Sequence, residues 1–188
     1  AGLTNTNCLV YVQAGTEVAS IDATNVIAGD KAASIVITDK VPFHAPKAFT
    51  ADAISYTRNC YLDGGWETIM LPFAVTSVTD NGVAKNYVLE KCTGMEKGNT
   101  ITFARETTWT ANTPYIISFG EATGAAGESK PYVFSGSGAI GVTEPSYVVN
   151  EFKGSYIDED IATAKAAYMM NAAGTNFVPN EANSVVYP

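Results

Sequence analysis

The chain has 188 residues, 46% of them hydrophobic and 16% charged, with a formal net charge of −8. That is one domain of comfortable size, able to bury a core, with a charged fraction well below the roughly 25% usual for soluble domains. Val and Ile together number 29 against 5 Leu, with 21 Thr and 10 Tyr. β-branched and aromatic residues suit a pleated, half-buried surface, so the composition excludes a helical bundle, a coiled coil, a disordered tail and a collagen-like chain. Eleven basic residues face nineteen acidic ones, only two of the basics are Arg, and none form a run; this excludes nucleic acid as a partner. No stretch approaches the ~20 apolar residues of a membrane helix.

Residues 7–12 (Asn-Cys-Leu-Val-Tyr-Val) and 34–38 (Ser-Ile-Val-Ile-Thr) read as strands, punctuated by Gly15, Gly29, Asp39 and Pro42. The segment 42–53, with Pro42 and Pro46, reads as a surface linker and places a domain boundary near residue 50. Residues 53–62 alternate, with Ile54, Tyr56, Arg58 and Cys60 on one side. Asp63-Gly64-Gly65 turns the chain into a strand over 66–71, which Pro72 breaks; residues 73–78 continue it. Proline inside this apolar run should mark an edge or a bulge. Asp80-Asn81-Gly82 is a strong turn signal. Strands follow over 86–93 and 99–105 with a Lys97-Gly98-Asn99 turn between them, then over 114–119. A loop covers 120–130, and strands over 131–135, 139–143, 146–153, 166–171, 175–178 and 183–187 complete the pass. Only 157–167 hints at helix, with Asp158 or Asp160 as its cap.

The motifs that carry chemistry elsewhere are weak here. Gly136-Ser137-Gly138-Ala139-Ile140-Gly141 spells GxGxxG after an apolar strand. A phosphate cradle needs a helix next, and Val142-Thr143-Glu144-Pro145 reads as strand and turn, so the glycines serve a strand connection. His44 is the sole histidine and no serine sits in GxSxG; it reads as a surface residue. Cys8, Cys60 and Cys92 show no CxxC spacing and read as buried thiols, with a Cys60–Cys92 disulfide or a reactive thiol as alternatives. Asp158-Glu159-Asp160 fits helix capping better than a calcium loop. Trp66 opens an apolar strand and reads as core. Trp109, within Thr107-Thr108-Trp109-Thr110-Ala111-Asn112, reads as more exposed and is the candidate ligand-binding residue, with Tyr61, Tyr87, Tyr132 and Tyr147 as possible companions on an aromatic platform.

The order Tyr56-Thr57-Arg58, then 65–75 (Gly-Trp-Glu-Thr-Ile-Met-Leu-Pro-Phe-Ala-Val), then Glu90-Lys91-Cys92-Thr93-Gly94 and 111–117 (Ala-Asn-Thr-Pro-Tyr-Ile-Ile), and later Tyr168-Met169-Met170-Asn171 and Gly174-Thr175-Asn176-Phe177-Val178 resembles a module of predicted secreted or cell-surface proteins of gut Bacteroidetes. The resemblance extends to Asn7-Cys8-Leu9-Val10-Tyr11-Val12 and Asn25-Val26-Ile27 and covers most of the chain. It implies export, an extracellular or cell-surface location, no cofactor and no catalytic residues to carry over. Cys60 and Cys92 stand where the resemblance leads one to expect bulky apolar residues, which favours thiols over a disulfide. The end at Val186-Tyr187-Pro188, where such modules run on through a further strand, implies a fragment of a larger protein.

These readings converge on an all-β fold: an antiparallel β-sandwich, Greek-key or jelly-roll-like, over 51–188, preceded by a strand-containing extension over 1–50. The leading function is a non-catalytic surface or secreted module for adhesion, display or structural capping, with a glycan or a cell-surface protein as partner. The alternative is a carbohydrate-binding module with exposed coplanar aromatics. A more remote one is a glycoside hydrolase with a carboxylate pair in a deep cleft.

Overall fold

The computed structural model describes residues 7–16, 24–96, 100–160, 168–179 and 185–186. These residues form strands and connections, with no helix among them. The first four strands are β1 (Val10–Val12), β2 (Val26–Ala28), β3 (Lys31–Thr38) and β4 (Phe49–Tyr61). Next come β5 (Glu67–Ile69), β6 (Ser77–Asp80), β7 (Val83–Ala84), β8 (Val88–Glu96), β9 (Thr100–Glu106) and β10 (Tyr115–Ser118). The rest are β11 (Ser129–Ile140), β12 (Ser146–Val149), β13 (Phe152–Ser155), β14 (Glu159–Asp160), β15 (Tyr168–Met170), β16 (Phe177–Pro179) and β17 (Val185–Val186).

A seven-stranded sheet runs β1-β2-β3-β4-β11-β6-β7 and a four-stranded sheet runs β5-β10-β8-β9. Their facing sides meet in one core: Ile35, Ile54, Tyr56, Val78 and Phe134 from the large sheet, Ile69, Leu89, Tyr115 and Ile117 from the small one. This is an all-β, sandwich-like fold. The chain passes repeatedly between the layers, from β4 to β5, back to β6, out to β8, and home to β11. The small sheet is antiparallel throughout. The large one is mixed, because β1–β2 and β3–β4 run parallel.

The parallel pair explains a correction to the sequence reading. A chain leaving β3 must return to the same end before β4 can start. Residues 39–48 reach at most about 35 Å when extended, against roughly 26 Å for β3 itself, so the return is nearly straight. It alternates like a strand: Phe43 and Ala45 are buried, while Pro42, His44 and Pro46 are exposed. The Phe43 N–H donates to Tyr156 O (3.0 Å), and Ala45 and Thr143 exchange bonds through Ala45 N–H to Thr143 Oγ1 (2.8 Å) and Thr143 N–H to Ala45 O (3.0 Å). This is a core-filling segment rather than a surface linker, and the prolines only keep it out of a ladder. The expected boundary at residue 50 falls inside β4, and Ile27, Ala32, Ile35 and Ile37 share the common core. The N-terminal strands are therefore part of the large sheet.

Other differences have equally local causes. Pro72 marks neither an edge nor a bulge; the segment between β5 and β6 crosses from one sheet to the other, burying Leu71, Phe73 and Val75 on the way. The glycines at 136 and 138 do not end a strand. β11 continues through them against β4, with a register shift between Gly136 and Gly138 that gives β4 one extra residue. Residues 146–153 are not one strand but the β12–β13 hairpin, turning at Asn150 and Glu151, which both have positive φ (47° and 72°). The Asn150 side chain donates to Cys92 O (2.9 Å) and the Cys92 thiol to Asn150 O (3.3 Å), anchoring that turn on β8. Of the expected helix, residues 159 and 160 form β14, paired with β17; residues 161–167 lie outside the described residues, as does the Lys97-Gly98-Asn99 turn. The Asn81-Gly82 turn does close the β6–β7 hairpin, with φ of 49° and 80°, the geometry that matches strand twist.

The hairpins β12–β13 and β15–β16 attach to the outer side of the small sheet. Phe103 on β9, Phe152 on β13 and Phe177 on β16 make a three-ring cluster, with centroids 5.6 to 6.0 Å apart.

Candidate functional site

The two tryptophans sit opposite to the reading of their local sequences. Trp109 is 8% exposed, although Thr107, Thr108 and Thr110 around it are exposed. Its ring dips between the sheets, edge-on to Tyr115 (5.4 Å) and Phe134 (6.2 Å). Its indole N–H donates to the Tyr87 hydroxyl (2.9 Å), which satisfies the one polar atom such a ring must bury. Trp109 is a core residue and offers no surface platform. Its proposed companions are equally dispersed. Tyr132 is buried beneath the ammonium groups of Lys85 and Lys130. Tyr87 is engaged with Trp109, and Tyr147 packs edge-on against Tyr156. Only Tyr61 is exposed.

Trp66, read from sequence as core, is half-buried. Among the described residues its indole N–H meets no acceptor and its ring no aromatic neighbour. Its backbone, by contrast, is tightly held. The Trp66 N–H donates to Gly174 O (3.0 Å). A Cβ on Gly65 would collide with the Ala173 carbonyl, and one on Gly174 with the Trp66 backbone. The turn 62–66 also docks on the end of β10 and the loop after it: Leu62 O accepts from Thr123 N–H (2.8 Å), and Gly64 O from the Ser118 hydroxyl (3.3 Å). In the turn 171–176, Asn171 Oδ1 accepts the N–H groups of Thr175 (2.9 Å) and Asn176 (3.2 Å). Three connections thus interlock around the Trp66 backbone.

One residue further on, Glu67 turns into the seam between the sheets. Its Oε2 lies 3.1 Å from Arg58 Nη2, and Oε1 accepts the Tyr61 N–H (2.9 Å). Arg58 Nη1 donates to Thr68 O (2.5 Å). The pair ties β4 of the large sheet to β5 of the small one. The Glu67 carboxyl is held above the usual carboxylate range: burial is the main cause, with Asp63 and Asp39 adding to it against the pull of Arg58 and the Tyr61 N–H. Its partner is a guanidinium, not a second acid, so the pair is a clamp rather than a hydrolytic dyad.

Cys60 lies on the same face of β4 and Cys92 on β8; both are buried and free, and Cys8 is half-buried and free. Burial pushes the Cys60 thiol up to about 12, with Glu67 adding to it, so it stays protonated and unreactive at neutral pH. His44 is exposed in the segment after β3. Asp158 is exposed as well. Among the described residues no group of three His, Cys, Asp or Glu side chains is placed to hold a metal ion, and there is no helix long and apolar enough to cross a membrane. A crevice lined by Ile37, Phe43, Tyr56, Leu71 and Tyr156 has a volume of about 20 Å³, room for about one water.

Comparison with protein-family models, with curated proteins and with solved structures gives no match for this chain.

The signal for Trp66 was present in the sequence. Asp63-Gly64-Gly65 ends a strand and β5 starts at Glu67, so Trp66 falls at the exit of a turn rather than within a ladder. The apolar run after it masked that position.

Proposed function

We propose that the chain is a non-catalytic module of a secreted or cell-surface protein, used for adhesion, display or capping of a larger chain. The observation that carries this reading is the filling of the sandwich. Trp109, Tyr115, Phe134 and Phe73 occupy the space between the sheets, as the interdigitating side chains of a sandwich core do. Work then falls to the surface. The resemblance to exported modules of gut Bacteroidetes supports the same location. A second reading, a carbohydrate-binding module, is favoured by one observation: a partly exposed Trp66 on a turn braced by Gly65 and Gly174.

Beads coated with the purified chain, assayed for retention on mucin, on epithelial matrix proteins and on bovine serum albumin as blank, test the leading reading. Selective, saturable retention is expected, with no turnover of chromogenic glycosides or esters by the same preparation. Sustained turnover that scales with protein would overturn it.

A further inference from the structure

We propose that Asn81 is a site of spontaneous covalent modification: its side-chain amide is lost to aspartate and isoaspartate, and the isoaspartate form releases the last strand of the large sheet. The inference goes beyond the module reading and stands independently of it.

The argument starts from the dipeptide. An asparagine amide is open to attack by the backbone nitrogen of the next residue, which closes a five-membered ring. Glycine hinders that closure least, because it carries no Cβ. Of the 13 asparagines in the chain, Asn81 alone precedes a glycine. Asn81 and Gly82 are both exposed, and a Cβ on Gly82 would meet nothing within 4 Å, so the ring has space to form. The attacking group, the Gly82 N–H, donates to no described residue. The Asn81 Nδ2 donates to Asp80 Oδ1 at 3.3 Å, in an exposed setting.

The second observation is how little closes the turn. With φ of 49° and 80° the two residues sit in the tight hairpin geometry, and the turn must open for the Gly82 nitrogen to reach the Asn81 Cγ. β7 is two residues long, and both are exposed, Val83 to 67%. It is joined to β6 by the pairs Thr79 with Ala84 and Asp80 with Val83, and the Lys85 N–H beyond it donates to Val78 O (2.9 Å). So short and solvated a hairpin end opens locally, far below the cost of global unfolding. β6 differs: Val78 is buried and three of its residues pair with β11.

The chemistry balances without a cofactor. A bond forms between the Gly82 nitrogen and the Asn81 Cγ, the Cγ–Nδ2 bond breaks, and the proton from the Gly82 nitrogen leaves with the ammonia. Water then opens the cyclic imide. Attack at Cγ gives aspartate; attack at the main-chain carbonyl gives isoaspartate, which routes the backbone through an extra methylene. Either product adds one negative charge to a chain of −8, next to Asp80, whose Oδ2 already holds Lys130 Nζ (2.7 Å). The added methylene also breaks the two-residue loop length on which the hairpin twist depends, so β7 comes away and β6 becomes the sheet edge.

The test stores the full chain warm, at neutral and at mildly alkaline pH, and follows it by isoelectric focusing and peptide mass mapping. One more acidic species is expected, mapped to position 81, ahead of modification at each of the other 12 asparagines. It should accumulate faster at alkaline pH, because the attacking nitrogen must give up its proton. Labelling by an isoaspartyl methyltransferase should mark part of it. Asn81→Gly, which leaves a Gly-Gly loop that hairpins accept, should abolish it. Asn81→Asp carries the charge without the methylene, so hydrogen exchange separates the two. The Lys85 amide should lose protection in the isoaspartate fraction and keep it in Asn81→Asp, while Phe134 on β11 stays protected in both. An acidic species that persists in Asn81→Gly, or Asn81 still intact after other asparagines have reacted, overturns the site. Lys85 protection unchanged in the isoaspartate fraction overturns the release of β7.

Discussion

The closed interior around Trp109 and the open turn cluster around Trp66 use the same residue type for opposite ends. Trp109 enters a polar-looking segment from which only the ring turns inward; its neighbours stay in water, and its N–H is spent on Tyr87. Trp66 enters an apolar-looking segment but stands on the turn before it, partly exposed and braced by glycines. The difference teaches that exposure of a large side chain is set by where the backbone changes direction. Polarity of the adjacent residues is a poor guide at turn exits and in connections that arch over a core.

The contrast makes demands of decreasing size on stability. Trp109→Ala removes a ring packed on Tyr115 and Phe134 and should cost about 4 kcal/mol, lowering the thermal midpoint by roughly 10 °C; calorimetry checks this. A loss no larger than that of Trp66→Ala would erase the distinction between the two regions. Glu67→Ala strands Arg58 at the seam and should cost about 3 kcal/mol in urea unfolding.

The pH dependence of the clamp runs against the usual acid-denaturation pattern. Burial holds the folded Glu67 pKa above its unfolded value, so the folded state binds the proton more readily. Its contribution is full below the unfolded value, about 4.3, and is lost as pH rises through the folded one. Compared with Glu67→Gln, which keeps an acceptor for the Tyr61 N–H, the native chain should therefore lose relative stability between about pH 4 and neutrality. Urea titrations at both pH values read the sign; a relative gain on going to neutral pH would mean that Arg58 outweighs burial.

Smaller effects belong to the open region. Gly174 has a φ of 62° and no room for a Cβ beside the Trp66 backbone, so Gly174→Ala should cost about 2 kcal/mol and loosen the Trp66 ring, seen as altered fluorescence anisotropy. Trp66→Ala should cost only about 1 kcal/mol, measurable by the same unfolding curves. A much larger loss would place Trp66 in the core after all.

Much of the strand content was legible because it is local. The inward series Ile54, Tyr56 and Cys60 on β4 follows from alternation, and Asn81-Gly82 closes its hairpin as the residues demand. What was hidden is non-local or disguised. Pairing of β4 with β11, and of β3 with β4 in parallel, depends on partners far apart in sequence. The Asn150-Glu151 turn lacks glycine and relies on Cys92, many residues earlier. The buried series Phe43 and Ala45 was obscured by the prolines between which it runs. For the candidate site, the glycines that brace Trp66 come from two segments, and only their meeting gives them meaning.

The most direct test of this two-region account is acrylamide quenching of the single-tryptophan chains Trp109→Phe and Trp66→Phe. The account predicts red-shifted, readily quenched emission where only Trp66 remains, and blue-shifted, protected emission where only Trp109 remains. Equal quenching, or the reverse order, would contradict it.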